Sequence, residues 1–236
     1  MPAASLEIAG LSAGYGPTRV LEDVGFSVAA GGRLAILGRN GMGKTTLLAT
    51  IAGQTRRYGG SVKLDGADVS GMSGSARALK GLGYVPQGRC IFKSLTVEEN
   101  LFVGLKGRRR DAMEEAYALF PRLAERRRNL GSQLSGGEQQ MLATARTILG
   151  KPTVLLLDEP LEGLAPIICD ELMAAFDRLA AAGDTTILLV EQRIRAALAF
   201  ADRVMIMERG RIAWIGTPDE LEAEPETVER LLGVGH

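Results

Sequence analysis

The chain is poor in the histidines and cysteines that build many metal sites and disulfide frameworks, and it has no excess of positive charge. Its 236 residues include one histidine and two cysteines, Cys90 and Cys169, which fit no CxxC or Cys/His spacing. We therefore expect bystander thiols in a reducing cytosol. The 28 basic and 28 acidic side chains cancel, so net charge gives no electrostatic reason to expect a nucleic-acid partner.

Long apolar runs are also missing. No stretch approaches the roughly 20 residues that span a bilayer, and the start, MPAASLEIAG, has neither the basic nor the apolar part of a secretion signal. Any membrane role is therefore expected to come through a partner. The composition that remains, 46% hydrophobic and 24% charged, is that of an ordinary globular protein.

Two kinds of strand-like segment occur. The first alternates polar and apolar residues and predicts a small sheet near the N-terminus: residues 6–11, 24–30 and 61–66. The second is continuously apolar, as in parallel strands buried on both faces: residues 33–38, 153–159 and 185–191. Helical patterns follow the second kind: residues 43–52, 167–182 and 194–201. This alternation predicts an α/β fold with a parallel sheet.

The middle and the end of the chain follow other patterns. Residues 87–150 contain no convincing strand and are predicted to form a helical insertion, beginning near the capping box of Thr96 and Glu99. Residues 203–216 predict a hairpin that turns at Arg209 and Gly210, followed by two short helices.

A glycine-rich loop connects the first buried strand to the helix after it. The segment GRNGMGKT matches G-x-x-x-x-G-K-[ST], in which glycines let backbone N–H groups converge on phosphate. Lys44 is predicted to reach the β- and γ-phosphates and the Thr45 hydroxyl to bind Mg²⁺. The predicted nucleotide-binding residues of this loop are Gly38, Arg39, Asn40, Gly41, Met42, Gly43, Lys44, Thr45 and Thr46.

The second motif, VLLLDEP, places two acidic residues at the end of the next buried strand. Asp158 and Glu159 fall at the carboxyl edge of a parallel sheet, where α/β proteins bind ligands. Asp158 suits Mg²⁺, and Glu159 suits orienting or deprotonating the attacking water. Such a strand end can also be only a solvated terminus or a helix cap. The two motifs together leave the class of nucleoside triphosphatase open.

The segment LSGGEQQ, residues 134–140, narrows the class. A well-capped helix start would be its plain interpretation, but with the other motifs the sequence resembles the ATP-binding-cassette (ABC) ATPases, whose signature is LSGGQ-like. The resemblance implies a P-loop (RecA-like) core with a small antiparallel β subdomain, a single domain over residues 1–236, and an inserted helical subdomain at about 88–150. ATP and Mg²⁺ are the implied cofactors. The signature residues implied to face ATP bound by the opposite cassette are Ser135, Gly136, Gly137 and Glu138.

The same resemblance assigns roles to isolated positions. Tyr15 matches the aromatic that stacks on adenine, Val20 adds an apolar contact, and Gln87 matches the glutamine that reaches Mg²⁺ and senses the membrane partner. The only histidine is His236, so the histidine switch of most cassettes is absent and Gln192 falls in its place. An amide cannot take up a proton near neutral pH. Gln192 is therefore predicted to be a catalytic residue that positions the γ-phosphate and the attacking water without shuttling protons, or else merely to end a strand in solvent.

The residues in and around these motifs point to one branch of the family. The segments that closely resemble an ATPase subunit of branched-chain amino acid importers, in the hydrophobic amino acid uptake family, are residues 85–101, 134–142, 158–166 and 188–193. Urea and amide importers share that branch. A lipopolysaccharide-export ATPase and a non-transport cassette are also compatible with the motifs. Departures from the common pattern are Lys93, Leu161, Ala165 and Arg193.

The resemblance also implies partners and a location. The expected partners are a second cassette (a different subunit or another copy), transmembrane permease subunits and, indirectly, a periplasmic solute-binding protein. The implied position is peripheral, on the cytoplasmic face of the inner membrane.

Overall fold

A computed structural model describes residues 2–233. His236, the residue on which the predicted absence of a histidine switch depends, lies outside that range. The strands are β1 (Leu6–Tyr15), β2 (Thr18–Val28), β3 (Arg33–Leu37), β4 (Arg56–Leu64), β5 (Ala67–Asp68), β6 (Leu82–Val85), β7 (Val154–Asp158), β8 (Thr186–Val190), β9 (Arg203–Glu208) and β10 (Arg211–Gly216). The helices are α1 (Lys44–Ile51), α2 (Gly74–Leu79), α3 (Val97–Gly104), α4 (Glu114–Leu119), α5 (Pro121–Glu125), α6 (Gly136–Leu149), α7 (Pro166–Ala181), α8 (Ile194–Phe200), α9 (Pro218–Glu222) and α10 (Pro225–Leu232).

The larger sheet has the strand order β10-β9-β3-β8-β7-β6. Its strands from β9 to β6 pair in parallel, and β10 returns antiparallel along β9. Every residue of β7 and β8 is buried, as expected for parallel strands covered on both faces. The predicted α/β fold with a parallel sheet is therefore confirmed.

Successive residues of the central strands enter two different cores because side chains of a strand alternate between its faces. Leu156 and Leu188 pack with α1 and with the smaller sheet, which has the order β2-β1-β4-β5. Leu155 and Leu189 pack on the opposite face with the helices α3 to α8. The central strands thereby fix the loops at their carboxyl ends between two packed layers.

Some predicted elements are confirmed, and three were missed, among them the two-residue strand β5. The hairpin of β9 and β10 turns at Arg209 and Gly210 as predicted. The segment between β6 and β7 is helical, with one isolated bridge between Thr96 and Leu130. Strand β6 was missed because its four residues include a glycine and are too few to show a pattern, and α2 was missed as well. Within residues 2–233 no helix is long and apolar enough to cross a membrane.

Candidate nucleotide-binding site

The glycine-rich loop lies between the end of β3 and the start of α1. Gly38 has φ 143°, and a Cβ there would lie 2.5 Å from the backbone oxygen of Met207, so only glycine fits. Gly43, at φ 98°, precedes α1, whose N-terminus has no side-chain cap and no acidic residue in its first turn. The positive end of this described helix is therefore open to an anion.

Lys44 folds back onto its own loop. Its Nζ donates to the backbone oxygens of Gly38 at 2.7 Å and Arg39 at 3.0 Å, and lies 3.7 Å from Glu159 Oε1. Burial lowers the pKa of Lys44, and the carboxylates of Glu159 and Asp158 oppose that shift. The ammonium thus stands over the loop in which phosphate is predicted to bind.

The predicted Mg²⁺ ligands Thr45 and Asp158 are in contact. The Thr45 hydroxyl donates to Asp158 Oδ1 at 3.1 Å, and Tyr84 donates to Asp158 Oδ2 at 3.1 Å. Burial raises the pKa of Asp158, whereas the hydrogen bonds from Tyr84 and Thr45 lower it. These oxygens are the hard ligands that Mg²⁺ prefers.

Glu159 is surrounded by donors. Its Oε2 accepts from Nε2 of Gln192 at 2.8 Å and from Nε2 of Gln87 at 3.2 Å, while its Oε1 faces Lys44. The backbone of Glu159 has φ 48°, an unusual conformation for a residue with a side chain, and such outliers cluster at functional sites. The structure thus brings together the two residues that were predicted to be catalytic.

These side chains open on a common cavity of about 270 Å³. Its lining is Val20, Asn40, Gly41, Met42, Gly43, Lys44, Thr45, Thr46, Gln87, Glu159, Glu162 and Gln192. Sequence reasoning missed Glu162, whose Oε2 accepts from Nε2 of Gln87 at 2.7 Å. The only signal was its place three residues after Glu159 in the same loop.

Three predicted nucleotide-binding residues, Tyr15, Gly38 and Arg39, are absent from this lining, as is the predicted Mg²⁺ ligand Asp158. Tyr15 is 51% exposed. The Gly38 and Arg39 backbone oxygens bind Lys44, but the Arg39 guanidinium turns away and donates to the backbone oxygen of Arg230 in α10 at 3.2 Å. Tyr15 and the Arg39 side chain therefore remain predictions as nucleotide contacts.

The signature residues form the start of α6. Ser135 Oγ accepts from the Glu138 N–H at 3.3 Å, and Glu138 Oε2 accepts from the Ser135 N–H at 2.8 Å. A Cβ at Gly136 would lie 2.5 Å from a nitrogen of the Arg89 guanidinium, and one at Gly137 would lie 2.8 Å from Ile168. Of the residues described, none from 135 to 138 lines the cavity, so their predicted contact with ATP requires a second cassette.

Comparison with known families decides the class of this site. The profile of the family "ABC transporter" matches residues 21–162, more than half of the chain, and covers both the glycine-rich loop and the acidic strand end. The chain belongs to the ABC transporter family. It is an ATP-binding, ATP-hydrolysing subunit of an ABC transporter.

Several relatives of this ABC ATPase cover nearly all of it. The high-affinity branched-chain amino acid transport ATP-binding protein BraG of Pseudomonas aeruginosa is 40% identical over 93% of this chain and 95% of its own length. The probable branched-chain amino acid transport ATP-binding protein LivF of Archaeoglobus fulgidus is 38% identical over 94% and 95%. The lipopolysaccharide export system ATP-binding protein LptB of Escherichia coli is 34% identical over 97% and 96%.

Other transport systems and a solved structure also match. The Fe(3+) ions import ATP-binding protein FbpC of Serratia marcescens is 39% identical over 94% of this chain and 65% of its own length. The structure of CbiO1 from Clostridium perfringens, part of the ABC transporter complex CbiONQ, matches with a TM-score of 0.81 and 25% identity over 95% of this chain and 93% of that chain. The P-loop fold of the ABC ATPase is thus shown.

Gln192 carries a prediction specific to this ABC ATPase. We expect Gln192→Ala to slow ATP hydrolysis by about 10²-fold, since loss of one oriented donor costs roughly 10²–10³ in kcat, with little change in ATP affinity. Gln192→His is expected to retain activity because it restores a donor near Glu159. Hydrolysis and ATP binding are measured on the same preparations, with Gln54→Ala, an exposed glutamine away from the cavity, as the control. ATP hydrolysis by Gln192→Ala at the wild-type rate would show that Gln192 has no role in hydrolysis.

Proposed function

We propose that this subunit energises an importer of branched-chain amino acids or of a related small polar or hydrophobic solute. The relatives BraG and LivF, both named as branched-chain amino acid transport ATP-binding proteins, support this solute class. The importer proposal is also supported by four segments that resemble ATPase subunits of branched-chain amino acid importers. These segments surround Gln87, Ser135, Asp158 and Gln192.

The observation that carries the chemistry is the position of Glu159. Its carboxylate lies 2.8 Å from Gln192, 3.2 Å from Gln87 and 3.7 Å from Lys44. A carboxylate held in this way can accept a proton from a water that attacks the γ-phosphate. Lys44 exchanges the loop oxygens for phosphate oxygens when ATP binds, and Gln192 keeps Glu159 in position. Glu159, and not Gln192, is then the base, because an amide does not take up a proton.

A magnesium ion fits the same edge of the sheet. Among the residues described, no group of three or more His, Cys, Asp or Glu side chains forms a metal cage, and Mg²⁺ bound with a nucleotide needs only one or two carboxylates besides phosphate. Thr45 and Asp158 would hold it, with Gln87 as the third proposed ligand. When bound, it neutralises charge on the β- and γ-phosphate oxygens.

The subunit is proposed to act as one cassette of a pair. We propose one domain over residues 1–236, with a helical subdomain at about 88–150 that carries the signature. Ser135, Gly136, Gly137 and Glu138 would then complete the site of the opposite cassette, whether that is a different subunit or a second copy. Permease subunits, and through them a periplasmic solute-binding protein, are the other proposed partners, at the cytoplasmic face of the inner membrane.

LptB favours a second candidate, an export ATPase, because its match extends over 97% of this chain. A urea or amide importer is the remaining candidate. The partners separate these functions: an amino acid importer brings permeases and responds to a solute-loaded binding protein, whereas an exporter has no such binding protein.

The test is to purify a tagged copy of the full chain from membranes and to identify what accompanies it. We expect permease subunits, and ATP hydrolysis by the complex that rises when the binding protein encoded with them is loaded with leucine, isoleucine or valine. The Lys44→Ala complex is the control for hydrolysis by this subunit. A complex stimulated by urea but by no amino acid, or a chain that brings no membrane protein, would contradict the proposed solute or the transport role, respectively.

A further inference from the structure

Glu191 is a buried acid next to the predicted catalytic pair. It follows the last residue of β8, immediately precedes Gln192, and is 2% exposed. Its Oε1 accepts from the Leu161 N–H at 2.9 Å, and its Oε2 accepts from the Gln192 N–H at 3.1 Å. One carboxylate therefore holds the loops that follow two neighbouring strands.

These contacts close a ring around Glu159. Leu161 lies two residues after Glu159 in the same loop, and the Gln192 amide returns to Glu159 Oε2 at 2.8 Å. The Glu159 N–H also donates to the backbone oxygen of Val190 at 2.9 Å. This backbone hydrogen bond joins the ends of β7 and β8. Glu191 joins the two loops that follow these strands, which carry Glu159 and Gln192.

A carboxylate at this buried position carries a desolvation penalty. Burial raises the pKa of Glu191, whereas the N–H groups of Leu161, Gln192 and Arg193 lower it. Among the described residues it forms no ion pair, and its two oxygens accept hydrogen bonds from the backbone N–H groups of Leu161 and Gln192. An apolar side chain would fill the space without the desolvation penalty, which indicates that the acid is present for the bonds that it accepts.

The same contact explains one departure in the sequence. Leu161 is one of the departures from the common family pattern, and its own side chain is buried in the core. It offers no hydroxyl to tie the loop. Its backbone N–H is instead held by Glu191, so the tie comes from the opposite strand end.

We infer that Glu191 is a positioning residue for ATP hydrolysis, which holds the Glu159 loop and Gln192 at the separation that lets their side chains meet. This inference rests on the proposed roles of Glu159 and Gln192. Glu191 touches neither ATP nor the attacking water in this account. It acts through Gln192 and through the Leu161 N–H.

The test is a double-mutant cycle on the full chain, with Glu191→Gln and Gln192→Ala. Gln at position 191 keeps the shape but has one oxygen for two N–H groups. We expect kcat to fall by about tenfold or more, because a displacement of about 1 Å can cost ~10²-fold, while KM for ATP stays within about twofold. The second substitution should then add little to the first, since residues that act together are not additive. Glu7→Gln, which removes the same charge at an exposed ion pair with Lys63, is the matched control.

A readout independent of activity is amide hydrogen exchange. In Glu191→Gln, faster exchange at Leu161 or Gln192 with unchanged protection of β7 and β8 would show that the tie is broken in a folded chain. Wild-type kcat in Glu191→Gln, or losses that multiply fully in the double variant, would overturn the inference while an impaired Gln192→Ala leaves the proposed function standing. A fully active Gln192→Ala would overturn the role of Gln192 first, and the role of Glu191 with it.

Discussion

Ser135→Arg is expected to lower ATP hydrolysis by about 10²–10³-fold, the usual loss when one donor to a developing charge is removed, while ATP still binds to the isolated chain. Ser135 is exposed at the start of α6, and residues 135–138 are absent from the described lining of the cavity in their own chain. The arginine can therefore project into solvent in a single copy. In a pair of cassettes it would enter the proposed site of the neighbour and block closure.

The substitution also removes the cap that Ser135 gives to the Glu138 N–H. Loss of such a cap costs ~1 kcal/mol of stability, so Ser135→Ala serves as the control that loses the cap without adding bulk or charge. The measurements are ATP binding to the isolated chain, thermal unfolding, and the rate of hydrolysis for both variants. Equal and small rate effects of the two substitutions would mean that Ser135 is only a helix cap.

Lys44→Ala is expected to weaken ATP binding by about 10²-fold or more, because truncating one partner of a buried, hydrogen-bonded charge pair in a complex costs ~2–5 kcal/mol. Lys44 is 4% exposed, and its ammonium already sits above the loop oxygens of Gly38 and Arg39. When phosphate replaces those oxygens, the variant has no cation from the loop helix to meet it. The measurement is equilibrium binding of a fluorescent ATP analogue.

Lys63→Ala is the matched control, since Lys63 pairs with Glu7 at an exposed position on the smaller sheet. Its removal should leave ATP affinity unchanged. Circular dichroism on both variants checks that the buried carboxylate of Glu159, left without Lys44, does not unfold the chain. Near-normal ATP affinity of a folded Lys44→Ala protein would mean that Lys44 does not bind the phosphates.

The strands and the phosphate loop could be predicted because their causes are local. The continuous apolarity of β3, β7 and β8 specifies burial on both faces, and the phosphate loop is a motif of eight consecutive residues, 38–45. Gln192 was placed by its register after β8, and its contact with Glu159 follows once β7 and β8 pair side by side.

The contacts that escaped prediction depend on side chains from distant segments. Glu191 meets Leu161 only because the two loops cross at one sheet edge, and Arg39 meets α10 across nearly the whole chain. Glu162 carried no pattern that distinguishes it from a solvated acid. Lengths and periods of hydrophobic residues do not encode such contacts; the packing of the loops decides them.

The most direct test of the account is the identity of the nucleotide that stays bound to Glu159→Gln after incubation with ATP and Mg²⁺, read by acid quench and chromatography beside the wild-type chain. Glutamine keeps the shape of the side chain but cannot accept the proton from water, and loss of a general base typically costs ~10²–10⁴ in rate. We expect the Glu159→Gln variant to retain intact ATP, whereas the wild-type chain converts its bound ATP to ADP. ADP formed by the variant at the wild-type rate would contradict the central claim that Glu159 is the base.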